Sequence, residues 1–152
     1  MTTICREFAR RGFIAFTIGY RTGRIKDTPN PDRTSAQQGL ASYRGIQDGR
    51  GAIRSIIKRN ASTDKHGNKF RINEDQFFIG GLSAGAIIAM GSTYYRNQGM
   101  INQAYPVRGT SISVEDALGH INSDYYYGET GSDFANPLYT PLIRGVLNGW
   151  GV

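Results

Sequence analysis

QFFIGGLSAGAIIAMGSTYY (residues 76–95) decides the reading of this chain. Residues 76–81 (QFFIGG) form a short apolar run, which fits a buried strand of a parallel sheet. Residues 84–95 (AGAIIAMGSTYY) read as a strongly apolar helix. Between them lies Gly81-Leu82-Ser83-Ala84-Gly85, a G-x-S-x-G pattern in which the serine sits on a sharp strand-to-helix turn. Such a turn strains the serine backbone. Side chains two residues before and two after would collide with each other and with neighbouring strands. Glycines at 81 and 85 remove that collision, and Gly80 adds room. The strain projects the Ser83 hydroxyl at the carboxyl end of the sheet. The Ala84 amide, in the first helical turn, points at the same spot and can donate to an oxyanion. The bare pattern is weak in a chain rich in glycine; its place between strand and helix makes it specific. A Walker loop needs Gly-Lys-Ser/Thr and a dinucleotide loop needs G-x-G-x-x-G, and neither follows a strand here.

Outward from the elbow, the chain alternates helix and strand. Upstream, residues 3–11 read as a helix stopped by Gly12. Residues 13–19 (FIAFTIG) are a nearly continuous apolar run that predicts another buried strand. Residues 22–36 are polar, carry Pro29 and Pro31, and read as a surface loop. Helical spacing returns over 37–60, with Leu40, Tyr43, Ile46, Ala52, Ile53, Ile56 and Ile57 on the apolar positions. Residues 61–75 are a polar connection. Downstream, 97–141 are rich in Asn, Gly, Ser, Tyr and Pro and read as an insertion. Within it, Ser113 and Asp116 have the spacing of a capping box. Residues 143–150 (IRGVLNGW) predict a third strand. This order implies parallel crossovers and a layered α/β sheet.

Composition narrows the function classes. The chain has 152 residues, the size of one domain with a real core. No apolar run reaches the ~18 residues needed to span a bilayer, and no secretory leader is visible. A single cysteine, Cys5, excludes an internal disulfide and a cysteine metal cluster, and reads as a small core residue. Two histidines, His66 and His120, leave little for a histidine metal site, so no metal is expected. Twenty glycines without a three-residue period must serve tight turns and close backbone approaches. The net charge of +6 is uneven: residues 1–71 carry +10 and residues 72–152 carry −4. A basic half raises a nucleic-acid face. Arg54, Lys58 and Arg59, however, share a helical pattern with Ile53, Ile56 and Ile57, as on a solvated helix face. With no RNA-binding aromatic motif or zinc finger beside it, the charge predicts no nucleic-acid partner.

Four stretches resemble the α/β-hydrolase superfamily, close to bacterial carboxylesterase- and feruloyl-esterase-like serine hydrolases. They are FARRGFIAFTIGYR (8–21), YRGIQDGRGAIRSIIKRNA (43–61), FRINEDQFFIGGLSAGA (70–86) and NPLYTPLIRGVLNGWG (136–151). The resemblance implies a three-layer α/β sandwich with a mostly parallel sheet. It implies hydrolysis of carboxylic esters without a cofactor, with Ser83 as nucleophile and the Ala84 amide as one oxyanion donor. The substrate it implies is a small-molecule ester, with aromatic and carbohydrate-linked esters among the candidates.

The family's chain order is nucleophile, acid, histidine, and its other oxyanion element is a His-Gly-Gly type loop. Neither that loop nor the later triad members match positions here. Residues 1–152 therefore read as one partial domain, the central portion of a hydrolase, with Met1 an internal methionine of a longer parent. A missing N-terminal region could carry a leader, so the compartment stays open. Within the chain, only Asp116 and His120 have the right order; they would face each other if 113–120 were helical. The other reading of His120 is a polar surface histidine, and His66 reads as a turn residue. Asp48 reads as half of an ion pair with Arg44 or Arg21. Tyr125, Tyr126 and Tyr127 either roof a substrate pocket or pack the insertion onto the sheet. Trp150 reads as core, with a strand end beside the site as the alternative. A catalytically inactive module that keeps fold and serine is the rival functional reading.

Overall fold

The structure, a computed structural model, describes residues 2–23, 31–60, 70–107, 111–122 and 143–150. Its elements in chain order are α1 (Thr2–Ala9), α2 (Pro31–Asn60), β1 (Phe77–Leu82), α3 (Ala84–Tyr94), α4 (Gln98–Ala104), α5 (Val114–Leu118) and β2 (Ile143–Gly149). The class is α/β: helices with a two-stranded parallel sheet. Phe77 pairs with Ile143 and Leu82 with Gly149, with one irregularity between Phe77 and Phe78. None of the helices among the described residues is long and apolar enough to cross a membrane.

The helix α2 begins earlier than its apolar spacing predicts. Proline at a first helical position forfeits only an N–H that has no helical partner, so Pro31 opens a helix here instead of closing a loop. Over its central turns α2 is buried on two sides. Tyr43 and Ile46 join Ile101, Val114 and Ile121 in the buried apolar cluster. The other side meets α3 at close range. A Cβ on Gly45 would lie 2.6 Å from Ile88 Cδ1, and one on Gly91 would lie 2.3 Å from Ile46 Cδ1. Glycine on both helices is what lets these two backbones approach.

The described residues of segment 97–141 contribute to the buried core. Its α4 and α5 supply Ile101 and Val114 to the buried cluster, and Ile121 follows. Both helices have true N-caps: Asn97 accepts from the Met100 amide, and Ser113 forms the expected capping box with Asp116. Tyr125, Tyr126 and Tyr127 lie outside the described residues, as does His66.

Residues 13–19 depart from expectation: they form no strand. A strand needs a backbone partner, and among the described residues β1 pairs with β2 alone. The segment leans on its neighbours through rings instead. Phe13 packs edge-on against Phe8 and Phe78, and Phe16 against Phe70. Phe13, Ile14 and Phe16 are left about half exposed.

A polar network fixes the rest of α2. Asp48 is fully buried, and its carboxylate accepts from the Arg21 backbone N–H at 2.6 Å and from Arg21 Nε at 2.9 Å. The ion pair is thus with Arg21, while Arg44 donates to the Gly23 carbonyl. Gln47, also buried, accepts from Arg21 and donates to the carbonyls of Leu118 and His120. About two turns on, Arg54 donates to the Asn122 carbonyl at 2.9 Å, so it faces inward; Lys58 and Arg59 are exposed as expected.

Candidate active site

The carboxyl end of β1 runs into α3 through a single residue, Ser83, at φ 52° and ψ −121°. That conformation lies outside the regions an L-residue adopts readily and costs of order 1–3 kcal/mol. Three contacts impose it. The Ser83 N–H donates to the Gly149 carbonyl of β2 at 2.8 Å, so the sheet holds the residue from one side. The Ser83 carbonyl accepts from the Ala86 and Ile87 amides, so α3 begins on it from the other. Below, Gly81 presses on the helix: a Cβ there would lie 2.2 Å from the Gly85 carbonyl carbon and 2.7 Å from the Ala86 nitrogen.

The two elbow glycines are not equivalent. Gly81 is required by space, as expected. Gly85 is not: a Cβ on it would meet nothing within 4 Å. The expected collision at 85 does not occur, because the clash involves the backbone of residue 85 and a side chain at 81. Gly80 has its own constraint, since a Cβ there would lie 2.8 Å from Leu147 Cβ on β2.

Strain changes what the serine hydroxyl can do. A serine at an N-cap ordinarily accepts from an amide of the first turn. Ser83 occupies the N-cap of α3, yet its side chain makes no capping bond, and the residue is exposed. The hydroxyl is thus open to solvent at the end of the sheet. The Ala84 amide opens α3 without a hydrogen-bonded partner among the described residues, one of the orphan donors of a helix start. The helix dipole adds partial positive charge there. A hydroxyl that makes no capping bond and an amide without a hydrogen-bonded partner among the described residues thus lie on adjacent residues.

The other sequence candidates fall elsewhere. Asp116 does not face His120. Its carboxylate accepts from the Ser113 N–H at 2.9 Å and from the Ser113 hydroxyl at 2.7 Å, which holds its pKa below the usual carboxylate value. Helix α5 ends at Leu118, and Gly119 at φ 79° turns the chain before residue 120. The His120 carbonyl is held by Gln47, and its Nδ1 accepts from the Asn122 amide at 3.1 Å. Burial first, then the nearby Arg50 and Arg54 charges, lower its pKa against an opposing pull from Glu115. Neither Ser83 nor Asp116 is among its partners. His120 is therefore half-buried and bonded, not a surface histidine, and it belongs to the α2–α5 junction. Among the described residues no group of three or more His, Cys, Asp and Glu could hold a metal ion.

Two residues beside the elbow carry more than their sequence reading suggests. Gly149 supplies the carbonyl that anchors Ser83, and a Cβ on it would lie 2.3 Å from Leu82 Cδ2. Its signal in the sequence is only a glycine near the end of an apolar strand. Trp150, read as core, is 90% exposed and has φ 59°. It follows Gly149 and so stands at the same end of the sheet as Ser83. No protein-family model, curated protein or solved structure matches this chain.

Proposed function

We propose that this chain carries the nucleophile of a serine hydrolase acting on carboxylic esters, in the elbow of an α/β-hydrolase-type three-layer sandwich. One observation carries the reading. Ser83 holds a strained backbone at a strand-to-helix turn, and its hydroxyl does not cap the helix it begins. Strain of this kind persists where the surrounding structure over-determines it, and it gathers at sites that use it.

In the reaction, Ser83 Oγ attacks the ester carbonyl and gives its proton to a general base. The carbonyl oxygen becomes an oxyanion, which accepts from the Ala84 amide. Collapse expels the alcohol, which takes the proton, and leaves an acyl-Ser83 ester. Water repeats the sequence and releases the acid. The base and the second oxyanion donor must come from beyond the residues described, since His120 and Asp116 are committed elsewhere.

That commitment favours a second reading, a non-catalytic module that keeps the elbow. A fluorophosphonate probe separates the two. Covalent labelling at Ser83, lost in Ser83→Ala, is the expected result. A folded protein that takes no label at Ser83 belongs to the second reading.

A further inference from the structure

We propose that Trp150 is a specificity-determining residue of the Ser83 site, forming a wall on which a flat aromatic ring of the ester substrate stacks. The proposal rests on the reading of Ser83 as nucleophile.

Position is the first argument. The Ser83 N–H bonds to the Gly149 carbonyl, and the Trp150 Cα is two bonds beyond that carbonyl carbon. Leu82 and Gly149 are the last register pair of the sheet, so Ser83 and Trp150 are the next residue on each strand. Ser83 and Trp150 are thus backbone neighbours across the ends of the two strands.

Exposure and strain are the second. Trp150 is the only tryptophan of the chain and is 90% exposed, far more than any other large apolar side chain described. Its φ of 59° is unfavourable for a bulky residue. Core packing would justify strain, but this indole packs no core. Leu82, itself about half exposed, lies over Gly149, the residue before Trp150.

The chemistry of indole selects the occupant. Its face is flat, rigid and electron-rich, and it favours offset stacking with another ring over contact with a flexible chain. An aryl group of the ester gains this contact; an alkyl group gains only general dispersion.

Two measurements test this. Because the chain has one tryptophan, its emission reports Trp150 alone. Iodide should quench that emission in the native protein. Phenylacetate should shift it saturably and shield it from iodide, while cyclohexylacetate should not. An indole already shielded from iodide, or one indifferent to phenylacetate, overturns the proposal. In the second measurement, Trp150→Ala should slow labelling of Ser83 by a phenyl-bearing fluorophosphonate about tenfold. An alkyl fluorophosphonate should change less than about twofold, and Trp150→Phe should keep most of the aryl preference. Equal slowing of both probes, or none, overturns the proposal. If no probe labels Ser83, the nucleophile reading fails, and the fluorescence titration still decides Trp150 alone.

Discussion

Ser83 and Ser113 are the same residue at the same helical position, and the backbone gives them different uses. Ser113 has φ −76° and spends its hydroxyl on the Asp116 amide. Ser83 has φ 52° and spends its hydroxyl on no capping bond. The difference traces to Gly81, whose missing side chain admits the first turn of α3. Gly81→Ala should therefore destabilise the fold by about 3 kcal/mol or more, the upper range for forced overpacking. It should also abolish labelling at Ser83. Gly85→Ala should change stability by less than about 1 kcal/mol, in the stabilising direction, because alanine is the better helix former and its Cβ has open space. Denaturant unfolding of the two variants checks this, and equal losses would refute the asymmetry. The serine and Gly81 were legible in the sequence because strain restricts residue type. The exposure of Trp150 was not, since an apolar residue ending an apolar strand reads as core. Nor was the bonding of His120, which depends on where Gly119 turns the chain.

At the scale of elements, Tyr43 shows how α2 is held to α4 and α5. Its ring sits in the buried cluster, while its hydroxyl donates to the Gly119 carbonyl at 2.7 Å and accepts from Gln98 at 3.0 Å. One side chain thus ties α2 to the turn after α5 and to α4. Burial, the largest cause, pushes its pKa up to about 12 from an ordinary 10.0. The folded state disfavours the phenolate, so this contribution is full below pH 10 and is lost as pH rises toward 12. Tyr43→Phe should cost about 1 kcal/mol at neutral pH, the net worth of a typical hydrogen bond. The gap between wild type and variant should narrow as pH rises through that window. Paired urea titrations at several pH values measure it, and a constant gap would exclude the phenol as the cause. The helix itself was legible from its apolar spacing, except for its first turns, where polar residues after Pro31 carry no such signal. The parallel strands β1 and β2 were legible from composition. Residues 13–19 have the same composition and form no strand, because apolar character alone does not supply a hydrogen-bonded partner.

Across the whole molecule, burial is lopsided. The sheet presents Phe77, Ile79 and Gly81 toward α3, since a Cβ on Gly81 would strike that helix. Its other face carries Phe78, Leu82 and Leu147, each more than half exposed. Leu147 belongs there because it crowds the Cβ position of Gly80. The buried cluster lies instead around α2, with side chains from α4 and α5. Parallel strands ordinarily have both faces covered, and a contiguous apolar patch on a protein in water is a site of association. The 152-residue chain should therefore self-associate, and its mass by sedimentation should rise with concentration. It should also bind a hydrophobic dye. Replacing Phe78 and Leu147 together by glutamine should reduce both effects while leaving helical circular dichroism intact, because neither side chain lies against α3. A monomeric wild type with one cooperative unfolding transition would contradict this. It would mean that two strands covered on one face, backed by the α2 cluster, make a self-sufficient unit.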